Sequence, residues 1–394
     1  MRILIASHTY IVRLNCEKFK VLSTLSPDID VTIVVPKRWR PGGVQNTLIE
    51  PEPWESNNFR VVPIANFSQN NQGLLTFSPE LMGLLRQFRP DVIQTEQGSK
   101  ALAQVEMITL NRLFNLGAKL LFFTWWNIPY SLAFPASLIE RYNLTHTHGV
   151  IAGNQDGADI LRERGFRGKL RVLPQLGVDE TLFQHRRQSN LPAQLGIQPH
   201  DFVVGFVGRF VEEKGLMTLF KALSALTDRP DRRPWKCLML GRGPLKEQLM
   251  QHAKANGFGD RISWIESVPH HDVPKYMNLM STLVLPSETT YQFKTLTAIG
   301  WKEQFGHVLI EAMACKVPVI GSDSGEIPHV IDQAGLIFPE GNVAELCDRL
   351  TRLMDQPNFA EELGNRGYEQ VLAHYTNRAL AKKHLEFYEE LVNA

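Results

Sequence analysis

Cysteine is scarce: Cys16, Cys237, Cys315 and Cys347 are the only four in 394 residues. They stand far apart and form no C-x-x-C pair, which argues against a disulfide framework or thiolate zinc site and for reduced, buried thiols. Long hydrophobic runs are missing as well. Leu120-Leu-Phe-Phe-Thr-Trp-Trp126 stops far short of the ~18–20 apolar residues of a membrane span. Neither sign of charge dominates, since 42 basic and 41 acidic residues leave a net charge of +1, and bulk nucleic-acid binding is not expected. The opening Met1-Arg-Ile-Leu-Ile-Ala-Ser7 turns polar too soon for a signal peptide and reads as a buried strand. Without such a signal the sequon Asn143-Leu-Thr145 is expected to be fortuitous. The expected location is therefore cytoplasmic.

What is present is a steady alternation of short apolar runs and longer helical patterns, the signature of parallel sheets covered by helices. Strands are expected at 2–6, 31–35, 59–64, 91–95, 120–123, 150–152 and 170–173, then at 202–207, 237–240, 262–265, 283–285, 318–320 and 336–338. Helical patterns lie between them. In 216–226, for example, Leu216, Leu219, Phe220, Leu223 and Leu226 share one face. The fold class is α/β, with two doubly wound domains: 1–180 and 201–375, joined by a polar linker at 181–200. The last helix follows at 376–394. Ligands of such sheets bind beyond the carboxyl ends of the strands, so the cleft between the domains is the expected site.

Two carboxylates mark the second half, in Glu303-Gln-Phe-Gly-His-Val-Leu-Ile-Glu311. A helical interval would separate them by roughly 12 Å. Hydrolytic pairs sit at ~5–9 Å, so these two suit the ends of one elongated ligand, and a nucleotide-sugar is about that long. In Phe206-Val-Gly-Arg-Phe-Val-Glu-Glu-Lys-Gly215 a strand runs into a glycine, two cations and a helix start. That combination suits a phosphate, with Gly208 allowing close approach and Arg209 and Lys214 supplying charge. A turn with solvated basic residues reads equally well from that segment alone.

Other segments are open to blander readings. Leu240-Gly-Arg-Gly-Pro244 has too few glycines for a dinucleotide fingerprint and reads as a tight turn, with Pro244 at a first helical position. Ser322-Asp-Ser-Gly-Glu-Ile-Pro328 is either a capped turn or a ligand contact. Asp28-Ile-Asp30 imitates a metal-holding D-x-D but precedes its strand, away from any strand exit. His146-Thr-His148 and His270-His271 lack zinc spacing and read as structural. Lys37-Arg-Trp-Arg40 suits either an anionic surface or a solvated loop.

Four of these elements together resemble the retaining glycosyltransferases of family 4, the group 1 glycosyl transferases. They are the G-R-x4-K-G of 208–215, the E-x7-E of 303–311, the tail from Ala312 to Gly325, and Val172-Leu-Pro-Gln-Leu-Gly-Val-Asp179. The likeness covers about 170–345, and in the first half only the layout resembles the family. It implies a GT-B fold of two Rossmann-like domains facing across a cleft, with the final helix crossing back to the first. It also implies metal-independent transfer, with retention, from a UDP- or GDP-sugar to a glycan, lipid-linked or small-molecule acceptor, with no other cofactor. By analogy the setting is polysaccharide assembly, peripheral to the inner membrane face. Carried over by position, Arg209 and Lys214 would hold the diphosphate, Glu311 the ribose and Glu303 the donor sugar. The backbone of Phe305, Gly306, His307 and Val308 would lie against sugar and phosphates.

The chain departs from that pattern in places. The first loop, Ser7-His-Thr-Tyr-Ile-Val-Arg13, lacks the usual glycine pair, and Gln94-Thr-Glu-Gln97 replaces the usual acceptor-side histidine, leaving Glu96 as a catalytic candidate. The segment 288–302 is longer than the family's usual loop and carries Tyr291, Phe293 and Trp301, a reason to expect it to shape the sugar or acceptor pocket. A nucleotide-sugar epimerase of the same fold, or an inactive sugar-binding module, are the alternatives.

Overall fold

A computed structural model describes residues 1–41, 47–186, 190–227, 233–295 and 297–394. The chain forms two compact units. One is residues 1–177 together with 377–394, the other is residues 178–376. The linker expectation at 181–200 falls inside the second unit, where Leu191–Gln194 is a short helix. Positions 187–189 of it lie outside the described residues.

The first unit carries β1 (Arg2–Ala6), β2 (Asp30–Pro36), β3 (Trp54–Ser56), β4 (Phe59–Ile64), β5 (Val92–Thr95), β6 (Lys119–Thr124), β7 (Gly149–Ala152) and β8 (Lys169–Val172). They line up as β3-β4-β2-β1-β5-β6-β7-β8. Every pairing in that sheet is parallel except β3 with β4. Helices cover both faces of a parallel sheet, so its strands are apolar along their length instead of alternating; Ile3, Leu4 and Ile5 are all fully buried. β3 leaves no signal in the sequence. It is three residues long and mostly exposed, with no apolar run to betray it.

The helix Asn377–Val392 packs into this same unit: Phe387, Tyr388 and Leu391 join its hydrophobic core. A buried polar network also ties it in. Lys18 Nζ donates to the Gln175 carbonyl at 2.6 Å and meets His384 Nε2 at 3.1 Å. His384 Nδ1 lies 2.8 Å from the Leu380 carbonyl, which makes Nδ1 the protonated nitrogen and leaves Nε2 to accept from Lys18. Burial, then the Lys18 charge, hold the imidazole well below its ordinary pKa. Tyr388 Oη donates to Gln94 Oε1 at 2.7 Å.

The second unit carries β9 (Phe202–Val207), β10 (Trp235–Leu240), β11 (Ile262–Ile265) and β12 (Thr282–Leu285). After these come β13 (Thr290–Lys294), β14 (Ile299–Trp301), β15 (Val319–Ser322) and β16 (Leu336–Phe338). Six of them form a sheet in the order β11-β10-β9-β12-β15-β16, parallel throughout. This is the doubly wound order of dinucleotide-binding sheets, with its switch point between β9 and β12. β13 and β14 make a separate antiparallel hairpin where the sequence suggested a long loop; residue 296 in it lies outside the described residues. Pro244 is not a first helical residue either, because the helix starts at Lys246.

Lys18 supplies a pH test of the first unit. Burial pushes its ammonium down from the ordinary value to about 8, against the opposing charge of Glu96. Below pH 8 both folded and unfolded chains hold the proton, and its burial costs about 3 kcal/mol. Above pH 8 the folded chain releases the proton first, so that cost fades up to the unfolded value near 10.4. Urea unfolding of wild type and Lys18→Met at pH 7 and pH 10 should therefore show wild type gaining on the variant by about 3 kcal/mol.

Candidate functional site

The switch point of the second sheet is where the cations and carboxylates gather. β9 ends at Val207, and the chain turns through Gly208 and Arg209 to a short 3-10 turn, Glu212–Lys214. β12 ends at Leu285 and leads through Pro286 and Ser287 into the hairpin, from which the chain returns to Glu303. Lys214 Nζ and the Glu303 carboxylate form a direct ion pair, with side chains 15% and 9% exposed respectively. Ser287 Oγ donates to the same oxygen, Oε2, at 2.7 Å. The ring of Trp301 lies 5.1 Å from Lys214 Nζ.

Two glycines allow the chains that carry this pair to pack so closely. Gly215, just after the lysine, has φ 60° and lies against the Pro286 carbonyl, where any Cβ would overlap that oxygen. Gly325 has φ 53° and lies in the same way against the Glu303 carbonyl. That carbonyl accepts the Glu326 N–H at 3.2 Å, and Ser322 Oγ donates to the Ser287 carbonyl at 2.5 Å. The Ser322–Glu326 loop thus braces Glu303 from behind, a role its sequence does not advertise.

The other expected residues of the second half lie in the same unit. Arg209 is half exposed and within 3.4 Å of the buried Glu213 carboxylate. The loop holding it is bonded to the next strand exit: Gly208 N–H donates to the Leu240 carbonyl at 3.0 Å, and Phe210 N–H to the Arg242 carbonyl at 2.9 Å. The 240–244 turn therefore supports the Arg209 loop. Phe305 is buried edge-on against Tyr375, with ring centres 5.7 Å apart. Gly306, at φ 81°, is the N-cap of the helix His307–Ala314 and brings no capping side chain. The first turn of a helix offers N–H groups that the helix itself does not use, and its positive pole favours anions. His307 and Val308 occupy that turn.

Glu311 lies one turn further on and is approached by two imidazoles, His307 Nδ1 at 3.2 Å and His270 Nε2 at 3.6 Å. Burial alone would raise its pKa, but hydrogen bonds and charge from the two histidines outweigh that and bring it to about 2. From the sequence alone His270 reads as structural. The contact joins residues far apart in the chain, and no spacing rule signals it. His148 has a backbone role, its Nδ1 accepting the Leu120 N–H at 3.0 Å. Asp28 sits in an exposed turn before β2.

Glu96 belongs to the first unit. It follows β5 in the first unit, where Tyr10 Oη (2.9 Å) and Gln94 Nε2 (2.8 Å) both donate to Oε1 and Gln175 Nε2 donates to Oε2 at 2.7 Å. Its two oxygens are thus engaged with neighbours inside its own unit.

Residues 187–370 match the family described as Glycosyl transferases group 1. The matched stretch holds Arg209, Lys214, Ser287, Trp301, Glu303 and Glu311. Over 207 residues the chain is 25% identical to an alpha-D-kanosaminyltransferase of Streptomyces kanamyceticus, covering 52% of this chain and 50% of that protein. It spans about half the length of the first curated relatives it matches. Similarity to solved structures extends over the whole chain. A sucrose-phosphate synthase from Thermosynechococcus elongatus aligns with 100% of this chain and 99% of its own at TM-score 0.71 and 20% identity. Anabaena HepE, solved with UDP, aligns with 99% of this chain and 100% of its own at TM-score 0.70 and 17% identity. At such identities the likeness speaks for the fold, and the fold is GT-B, built from two Rossmann-like units. Among the described residues, no helix is long and apolar enough to cross a membrane.

Two measurements probe this arrangement. Gly215→Ala must relieve both a positive φ and an overlap with backbone, so a loss of at least ~2 kcal/mol is expected, seen as a fall of roughly 4–8 °C in Tm. Glu311 gives a pH signature. Its folded pKa lies below the unfolded value near 4.3, so its stabilisation, on the order of 3 kcal/mol, is complete above that pH and is lost as pH falls towards 2. The stability gap between wild type and Glu311→Gln should accordingly narrow in urea unfolding between pH 5 and pH 2.5.

Proposed function

We propose that the protein is a glycosyltransferase that moves a sugar, with retention and without a metal, from a nucleoside diphosphate sugar to a glycan, lipid-linked or small-molecule acceptor. The observation that carries this reading is the contact of Lys214 with Glu303 at the switch point between β9 and β12, inside the stretch matching the group 1 family. UDP leads as donor nucleotide because HepE, of the same fold, was solved with it, and GDP is the second choice.

Breaking the sugar–phosphate bond builds negative charge on the departing diphosphate and positive charge on the ring. Fixed positive groups aimed at the diphosphate stabilise that transition state more than the ground state. In this reading Arg209 and Lys214 supply the cations. The first-turn amides at His307 and Val308, entered through Phe305 and Gly306, add the helix pole. Glu303 hydrogen-bonds the donor sugar, with Ser287 holding its carboxylate in place. Glu311, kept ionised and oriented by His270 and His307, accepts the ribose hydroxyls. Glu96 serves the first unit's internal network and not the chemistry.

The test is turnover with a panel of UDP-, GDP- and ADP-sugars, chosen by which free diphosphate raises Tm. Lys214→Ala should lose about 10²–10³ in kcat, equivalent to ~3–4 kcal/mol. Glu303→Gln, which keeps the side-chain volume, should also cut turnover while the nucleotide still raises Tm. Near-wild-type turnover in Lys214→Ala would overturn the assignment. Conversion of the donor sugar without any acceptor would favour epimerisation instead.

A further inference from the structure

The hairpin β13–β14 is rooted in the site. Thr218 Oγ1 donates to Glu288 Oε1 at 2.5 Å, and the Glu288 N–H donates to the Glu213 carbonyl at 3.0 Å. Thr289 donates to the Glu340 carboxylate through its N–H at 2.6 Å and its hydroxyl at 2.7 Å. The foot of the hairpin is thereby tied to the loops that leave β9 and β16. At its far root, opposite Thr290, stands Trp301, two residues before Glu303 and with its ring 5.1 Å from Lys214 Nζ. Tyr291 and Phe293, by contrast, are exposed.

This arrangement answers a physical difficulty in the functional reading. Lys214 is paired with a carboxylate, and a diphosphate arriving at the site must compete with it for the same ammonium. An aromatic face attracts a cation without carrying net charge, so it holds the ammonium while leaving its charge free for a phosphate. It also shields that charge from water, which strengthens each interaction the ammonium makes.

We propose that Trp301 is a positioning residue for Lys214: its ring keeps the ammonium at the site while the donor's diphosphate draws it away from Glu303. The proposal rests on the reading of Lys214 as a diphosphate cation, and its test separates the two.

The test compares wild type, Trp301→Phe, Trp301→Leu and Lys214→Ala as full chains. Calorimetry would follow binding of UDP and of GDP, with uridine and guanosine as phosphate-free controls. Trp301→Leu should weaken diphosphate binding roughly five- to thirtyfold, whereas Trp301→Phe, which keeps an aromatic face, should stay within about threefold. Nucleoside binding should be unchanged in both. Equal losses in the Phe and Leu variants, or a parallel loss of nucleoside binding, would mean that Trp301 merely packs, and would overturn the proposal. So would an unaltered Trp301→Leu beside a weakened Lys214→Ala, which leaves the functional reading standing. Undiminished diphosphate binding in Lys214→Ala, or none in wild type, would overturn both.

Discussion

One ion pair organises the second unit: the Lys214 ammonium against the Glu303 carboxylate, nearly closed off from water. Removing two charges from water is expensive, and their attraction compensates only when geometry is good and the remaining lone pairs are satisfied. Here that geometry comes from backbone packing. Gly215 lies against Pro286 and Gly325 against the Glu303 carbonyl, so the lysine and the glutamate are each carried on chain that cannot back away. Ser287 and the Ser322–Glu326 loop complete the satisfaction of the carboxylate and its backbone. Such a pair is poorly explained as a contribution to stability alone, because well-packed apolar groups of similar size would do as well or better. On the proposed function it is a charge held ready for a ligand.

The same economy of means recurs at Glu311. Burial opposes its charge, and two imidazoles from different elements restore it. The two glutamates thus find different partners, Glu303 an ammonium and Glu311 a pair of histidines. In the first unit, buried charge has another use. Lys18, Gln175, Glu96 and Tyr10 link helix, strand and loop, and His384 and Tyr388 bring in the final helix. Both oxygens of Glu96 accept hydrogen bonds there, from Tyr10 and Gln94 on one and Gln175 on the other.

The long-range aromatic and cationic contacts belong to the same logic. Trp301 reaches Lys214 only because a hairpin inserted after β12 is pinned at its foot by Glu288 and Glu340. A free loop of that length would spend ordering entropy on each approach to the lysine. A pinned hairpin has spent it on folding.

Much of this was legible in the chain itself. Strands buried on both faces leave continuous apolar runs, so the parallel sheets, their alternation with helices and the helix at Asn377–Val392 could be read from the amino acids alone. Glycine followed by spaced cations after β9, and glutamates eight residues apart, also marked the strand exits as chemically loaded. Exposed or very short elements left no such imprint. β3 and the hairpin β13–β14 bury too little to impose a pattern, and Pro244 obeyed its turn instead of the helix rule. Which residues touch was decided only by the tertiary structure: His270 on Glu311, Trp301 over Lys214, the Ser322–Glu326 loop behind Glu303. Periodicity encodes what a residue buries within its own element, whereas these contacts join different strand exits, and only the order in which the strands assemble brings those exits together.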